Sequence, residues 1–214
     1  MARPVPKYRY QTPRFFHSPL SLKIGLFGGS FNPAHDGHIH VAVEAQRRLK
    51  LDQIWWLVSP QNPLKTASGM ACLTDRMAQA TRIAAPYPFI HVLSPEAELP
   101  HNYTINTLKF MKKTMPKARL VWIMGADNLV QFSKWHRYRE IIRLLPIAVI
   151  DRPSYAYLAI AAGRRNFRRR YRVTALRQAL ANRSRPGKGW SFIAGRKHSA
   201  SASAIRQQQA QSAG

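Results

Sequence analysis

The sequence predicts an α/β fold, a doubly wound parallel sheet with helices on both faces. Short runs rich in apolar, β-branched and aromatic residues alternate with segments of helical spacing, at roughly 25 to 35 residues per strand–helix unit. The strand-like runs are continuously apolar, which is typical of parallel strands covered on both faces. The sequence contains no internal repeat.

Each run ends at residues that stop a strand. The first (KIGLFG) ends at a glycine pair, the second (QIWWLVS) and third (FIHVLS) at Ser-Pro, the fourth (RLVWIM) at glycine, the fifth (PIAVID) at Arg-Pro and the sixth (WSFIA) at glycine. The predicted strands are 23–28, 53–59, 89–94, 119–124, 146–151 and 190–194. Apolar residues at helical spacing predict the helices 39–50, 74–85, 104–115 and 135–145.

A chain of 214 residues has the length of one ordinary domain. We predict a disordered basic tail over 1–22, a single domain over 23–209 and a short C-terminal tail over 210–214. Within the domain, the segment 163–189 is rich in arginine and contains no acid. We interpret it as a solvated insert or loop.

The charge balance indicates anionic partners. Lys and Arg number 34 and Asp and Glu 9, a formal net charge of +25, which suits phosphate-rich small molecules or nucleic acid. Cys72 is the only cysteine, which excludes an intramolecular disulfide and a cysteine zinc cluster and favours a reducing, cytoplasmic location. No run is long enough for a membrane helix, and residues 1–22 lack the apolar centre of a secretory signal.

The segment after the first strand carries the densest pattern. Gly28 and Gly29 allow a tight turn and a close approach of the backbone to a ligand. His35 and His38 lie three residues apart at the start of a helix, on one face and beside the unpaired N–H groups of the first turn. A phosphate between the imidazoles would meet several donors. The alternative is an ordinary turn with two histidines that cap the helix.

This segment, GGSFNPAHDGH, resembles the G-x-F-x-P-x-H-x-G-H signature of the nucleotidylyltransferase superfamily, which has a Rossmann-like fold and is related to the HIGH-motif proteins. The signature positions are Gly29, Phe31, Pro33, His35, Gly37 and His38. The segment 200–206 (ASASAIR) resembles a second superfamily element, I-S-S-T-x-I-R. The resemblance implies ATP contacts at Gly28, Gly29, Ser30, Phe31, His35, Gly37, His38, Ser201, Ser203, Ile205 and Arg206.

Three more segments are similar to those of bacterial nicotinate-nucleotide adenylyltransferases: 59–65 (SPQNPLK), 102–104 (NYT), and 124–129 (MGADNL) with a tryptophan at 135. The resemblance implies nicotinate-nucleotide contacts at Asn32, Lys65, Tyr103, Thr104, Gly125, Asp127 and Trp135. Considered singly, Thr104 fits a helix N-cap, Asp127 fits a helix cap and Trp135 fits a core position.

The implied reaction is attack of the phosphate of nicotinic acid mononucleotide on the α-phosphorus of ATP, which gives deamido-NAD and pyrophosphate in NAD biosynthesis. The implied catalytic residues are His38 at the α-phosphate, His35 at the β-phosphate, and Lys65 and Arg206 with Ser203 at the departing pyrophosphate. The sequence has no compact carboxylate cluster, so we predict no metal site on the protein and expect Mg²⁺ to arrive with ATP.

Two alternatives stay open. The first is another adenylyl- or cytidylyltransferase of the same fold, with nicotinamide mononucleotide or phosphopantetheine as the acceptor. The second is a basic nucleic-acid-binding protein, which the charge and the arginine run suggest. The motifs are more specific than the charge, so we expect small-molecule substrates and no membrane partner. The sequence gives no prediction of oligomeric state.

Overall fold

A computed structural model describes residues 21–60, 70–95, 99, 103–152, 155–167, 169–182 and 189–195. Within this part of the chain, six strands form one parallel sheet in the order β3-β2-β1-β4-β5-β6. The strands are β1 (Lys23–Gly29), β2 (Gln53–Val58), β3 (Ile90–Leu93), β4 (Arg119–Gly125), β5 (Ile147–Ile150) and β6 (Trp190–Ile193). The predicted parallel sheet is confirmed.

Seven helices accompany the sheet in the described residues: α1 (Asp36–Leu49), α2 (Leu73–Ala84), α3 (Thr104–Thr114), α4 (Ala126–Gln131), α5 (Tyr138–Leu144), α6 (Ala156–Asn166) and α7 (Val173–Ala181). A 3₁₀ turn at Phe132–Lys134 follows α4. None of the helices described is long and apolar enough to cross a membrane.

Apolar residues cover both faces of the sheet and form two core clusters. Trp55 and Trp56 show the alternation most clearly, because they are adjacent in β2, are both 0% exposed, and belong to opposite clusters. The continuous apolar runs therefore reflect burial on both faces.

The strand order places the candidate site. Within the sheet, β2 and β3 lie on one side of β1, and β4, β5 and β6 lie on its other side. Segments that follow β1 and β4 thus leave the sheet at the point where the winding direction reverses. In open parallel sheets, ligands bind in the crevice at this point.

The loop interpretation of 163–189 is wrong for part of that segment. Residues 163–166 end α6, and α7 lies within the segment and packs against α1 through Leu176 and Leu180. Two arginines between these helices pack on aromatic rings, Arg169 over Tyr171 at 5.2 Å and Arg170 over Trp190 at 5.5 Å. The high density of charge hides a short apolar stripe, so the sequence pattern does not reveal the helix.

Other boundaries also differ from the prediction. Helix α4 has only six residues, too few to show a helical period, and α5 begins at Tyr138 and not at residue 135. The predicted tails, apart from residues 21 and 22, lie outside the described residues.

Candidate active site

The end of β1 brings its backbone close to a side chain of the neighbouring strand. A Cβ on Gly28 would collide with the six-membered ring of Trp122 in β4, so this close approach requires glycine. Phe31 has a φ of 45°, and this left-handed conformation costs a non-glycine residue about 1–3 kcal/mol. The surrounding structure must therefore hold the turn in place.

His35 and His38 form a reciprocal cap at the start of α1. The N–H of Gly37 donates to Nδ1 of His35 over 3.0 Å, and the N–H of His35 donates to Nδ1 of His38 over 3.2 Å. The two ring centroids lie 4.0 Å apart, and His35 is 5% exposed. Because each Nδ1 accepts a hydrogen bond, the proton of each neutral ring is on Nε2.

The cap and the phosphate interpretation are compatible. The cap uses the Nδ1 atoms of His35 and His38, whereas a phosphate oxygen would accept from the Nε2–H groups. The cap fixes both rings in one tautomer and limits their rotation. The geometry thus places both imidazoles at the N-terminus of a 14-residue helix, where the helix dipole also favours an anion.

A column of aromatic rings supports His38. The ring of Phe31 lies 4.7 Å from that of His38 and stacks on Trp56 at 4.9 Å, with an interplanar angle of 23°. The ring of Phe27 meets Phe31 edge-on at 5.7 Å. All three supporting rings belong to the core below the turn. The imidazole of His38 therefore rests on a rigid base.

The start of α4, directly after β4, supplies a carboxylate. A Cβ on Gly125 would collide with Asp127 and approach Arg152, so glycine lets these two side chains meet. Nη1 of Arg152 lies 3.5 Å from Oδ2 of Asp127. The other oxygen, Oδ1, is shielded from solvent and has no hydrogen-bond partner among the described residues. An acceptor of this kind suits a ligand hydroxyl.

Asp127 does not cap a helix. The N-cap of α4 is Gly125, and Asp127 is the second residue of that helix. The cap interpretation of Thr104 is also wrong, because the extended residue before α3 is Tyr103 and Thr104 is already helical. Tyr103 makes no side-chain cap, so its side chain does not occupy the first-turn N–H groups of α3.

Three aromatic side chains lie at the entrance to α3 and after α4. The ring of Tyr103 stacks on His136 at 4.2 Å with an interplanar angle of 25°. Trp135 is half-buried and meets Phe132 edge-on at 5.3 Å and Trp122 edge-on at 6.4 Å. Trp135 thus has both the core contacts of the simpler interpretation and an exposed part.

Trp122 contacts residues from both parts of the candidate site, Gly28 at the end of β1 and Trp135 after α4. Its six-membered ring occupies the space above Gly28, and its indole contacts Trp135. The turn after β1, with the histidine pair, and the segment after β4, with Asp127 and Trp135, therefore flank the same part of the sheet. Their strands, β1 and β4, are direct neighbours.

Several predicted site residues lie outside the described residues: Lys65, Ser201, Ser203, Ile205 and Arg206. Their convergence on the histidine pair stays a prediction. The other predicted residues of the first motif follow one another along the chain: Gly28 and Gly29 end β1, Ser30, Phe31 and Asn32 lie in the turn, and His35, Gly37 and His38 lie at the start of α1.

Sequence reasoning missed three residues of the site. Arg152 follows β5 as Asp127 follows β4, so the same strand-end rule would have selected it. His136 is adjacent to Trp135 in a polar segment. The sequence indicates only that Trp56 is a core residue of a strand, because its stacking on Phe31 depends on how β1 and β2 pair.

The fold and the paired-histidine turn define an α/β protein of the nucleotidylyltransferase class. The sequence profile of the Cytidylyltransferase-like family matches residues 26–208. A probable nicotinate-nucleotide adenylyltransferase of Methylorubrum extorquens is 43% identical over 185 residues, 86% of this chain and 99% of that protein. One of Rhizobium johnstonii is 44% identical over 193 residues, 89% of this chain and 94% of that protein.

A solved structure has the same fold. It is Plasmodium falciparum nicotinic acid mononucleotide adenylyltransferase complexed with NaAD, with a TM-score of 0.64 and 16% identity, over 87% of this chain and 83% of that chain. At this identity the likeness shows the fold alone. From its sequence relatives and the family profile, the chain belongs to the nicotinate-nucleotide adenylyltransferases of the cytidylyltransferase-like family.

Proposed function

We propose that this protein transfers the adenylyl group of ATP to nicotinic acid mononucleotide, giving deamido-NAD and pyrophosphate in NAD biosynthesis. The observation that carries the proposal is the reciprocal cap, which holds the imidazoles of His35 and His38 side by side at the start of α1 through their Nδ1 atoms. Family membership supports the choice of substrates.

The reaction needs no protein nucleophile. A phosphate oxygen of the mononucleotide forms a bond to the α-phosphorus of ATP as the bond from that phosphorus to the bridging oxygen of pyrophosphate breaks. The enzyme's part is to position both substrates and to stabilise the charge on the phosphoryl oxygens. His38 donates to the α-phosphate and His35 to the β-phosphate. Lys65, Ser203 and Arg206 neutralise the pyrophosphate, and these three roles rest on the family resemblance.

The acceptor binds beyond β4. Oδ1 of Asp127 accepts a hydrogen bond from a ribose hydroxyl, which gives this buried oxygen the partner it lacks among the described residues. The exposed part of Trp135 and the stacked rings of Tyr103 and His136 offer a surface for the pyridinium ring. The N–H groups of Thr104 and Ile105 at the start of α3 donate to the nicotinate carboxylate, whereas that of Asn106 donates to the carbonyl of Tyr103.

Mg²⁺ enters as part of the ATP substrate. In the residues that the structure describes, no three His, Cys, Asp or Glu side chains are grouped so that they could hold a metal ion. We also propose a cytoplasmic location, where ATP and nicotinic acid mononucleotide are present and the free thiol of the exposed Cys72 stays reduced.

The acceptor preference tests the function. Pyrophosphate release from ATP is measured with nicotinic acid mononucleotide, nicotinamide mononucleotide and phosphopantetheine in turn. We expect kcat/KM to be about 10-fold to 150-fold higher for the nicotinate form, because a hydrogen bond to a charged group contributes about 1.5–3 kcal/mol. Equal rates with the two mononucleotides would contradict the nicotinate preference, and release with phosphopantetheine alone would overturn the proposed acceptor.

Asp127→Asn tests the acceptor side. The change preserves the shape of the side chain but removes the charge that faces Arg152 and makes one of its ends a donor. We expect KM for nicotinic acid mononucleotide to rise about 10-fold or more with little change in KM for ATP. Asp75→Asn, at an exposed position in the first turn of α2, is the control. An unchanged KM in the Asp127 variant would remove this carboxylate from the binding site.

A further inference from the structure

Arg76, in α2, is a buried arginine that holds separate backbone segments together. It is 2% exposed, and its guanidinium donates to four backbone carbonyl oxygens. Nη1 bonds to Ser30 and to Ser59, each over 2.7 Å, Nη2 bonds to Pro60 over 2.7 Å, and Nε bonds to Ala71 over 2.9 Å. Burial lowers the pKa of this guanidinium from its usual value, because the loss of solvent disfavours its charged form.

The first two of these bonds extend the sheet where its own hydrogen bonds end. In the part of the chain that the structure describes, the last backbone bond between β1 and the chain after β2 runs from the N–H of Ser59 to the carbonyl of Gly29 over 2.9 Å. Beyond it, the carbonyls of Ser30 and Ser59 leave the ladder, and Nη1 of Arg76 bridges them. A guanidinium suits this position because its planar fork can serve several acceptors at once.

The same arginine steadies the turn that leads to the histidines. Phe31, which has the left-handed φ, directly follows Ser30. Asn32 comes next, and its Oδ1 accepts from the N–H of Ala71 over 3.2 Å, while the carbonyl of Ala71 accepts from Arg76. The turn is therefore fixed on both sides of Phe31, by Arg76 directly at Ser30 and through Ala71 at Asn32.

We propose that Arg76 is a positioning residue for the histidine pair: by holding the turn at residues 30–32, it sets the place at which α1 begins and at which His35 and His38 cap it. Arg76 acts through the backbone and touches no substrate. The catalytic consequence rests on the proposed function, whereas the effect on the two imidazoles does not.

The chain provides a matched control at the opposite end of the sheet. Arg119, the first residue of β4, also donates to three backbone carbonyls, those of Leu180, Ala181 and Ser21, over 2.5–2.6 Å. Arg119→Lys thus removes a similar set of hydrogen bonds at the amino end of the strands, away from the histidines. A loss of stability alone should be similar in Arg76→Lys and Arg119→Lys.

The test combines turnover with the state of the imidazoles. In wild type and in Arg119→Lys, long-range ¹H–¹⁵N spectra should show His35 and His38 as Nε2–H tautomers with Nδ1 as acceptor. In Arg76→Lys we expect this signature to be lost or averaged. With ATP and nicotinic acid mononucleotide, we expect kcat of Arg76→Lys to fall about 10-fold to 100-fold, with KM values within a few-fold of wild type.

The outcomes separate the two proposals. Wild-type imidazole spectra in folded Arg76→Lys, or an equal loss of kcat in Arg119→Lys, would overturn the role of Arg76. Absence of turnover in the wild-type protein would overturn the proposed function, and the spectra would still decide the role of Arg76. If Arg76→Lys does not fold, Arg76→Gln, which leaves no buried charge, takes its place under the same criteria.

Discussion

Replacing His38 with alanine should lower kcat by a factor on the order of 100 or more, because it removes a hydrogen-bond donor to the α-phosphate in the transition state. The fold should survive. His38 contributes half of the reciprocal cap of α1, and the loss of a cap costs about 0.5–2 kcal/mol against a typical domain stability of about 5–15 kcal/mol. Steady-state pyrophosphate release, with circular dichroism as a check on folding, measures both effects.

His40→Ala is the control for this experiment. His40 lies two residues further along α1, so its side chain projects from nearly the opposite side of the helix. We expect this variant to keep wild-type turnover. If His38→Ala also turns over at the wild-type rate, His38 has no part in catalysis, and the phosphate role of the histidine pair is wrong.

The second large effect concerns the two tryptophans of β2. Trp55 and Trp56 are equally buried, but Trp56 stacks under Phe31 on the histidine side of the sheet and Trp55 faces the other side. Replacement of either with alanine should cost about 3–5 kcal/mol, as expected for a large ring removed from a core. We expect Trp56→Ala alone to lower kcat of the folded protein as well, about 10-fold or more, because the support of His38 is lost.

Urea denaturation gives the stability of each variant, and turnover at low temperature, where both are folded, gives kcat. Trp56→Phe should restore most of the activity, because it keeps a ring under Phe31. It also removes an indole N–H that is buried without a partner among the described residues. An equal loss of kcat in the Trp55 and Trp56 alanine variants would show that the stack on Phe31 does not position His38.

Much of the fold could be predicted because it depends on local patterns. The runs that became β1 to β6 are apolar on both faces, and glycine or proline ends each of them, so strand positions follow from short stretches of sequence. Three helices, α4, α6 and α7, were not predicted. Helix α6 buries only small residues, Ala159, Ala162 and Gly163, which give a weak helical period. Helix α4 is too short to show a period, and arginines obscure the apolar positions of α7.

The candidate site also contains both residues that local patterns predict and residues that they do not. His35 and His38 could be identified from their spacing, because they lie three positions apart at a helix start and the cap they form is a local structure. Arg76 could not, because its acceptor at Ser30 is 46 residues away and an arginine on a helix is normally exposed. Thr104 was mistaken for a cap because the choice between it and Tyr103 depends on backbone angles and not on residue type.

The order of apolar runs, the two glycines and the histidine pair thus fixed the class of fold and the position of the site along the chain, since those features involve neighbouring residues only. Tertiary structure decided what holds the site in shape. The bridge from Arg76 to the strand ends and the stack of Trp56 on Phe31 exist only once β1 and β2 pair in register. Contacts between distant segments depend on that pairing, and no local pattern specifies them.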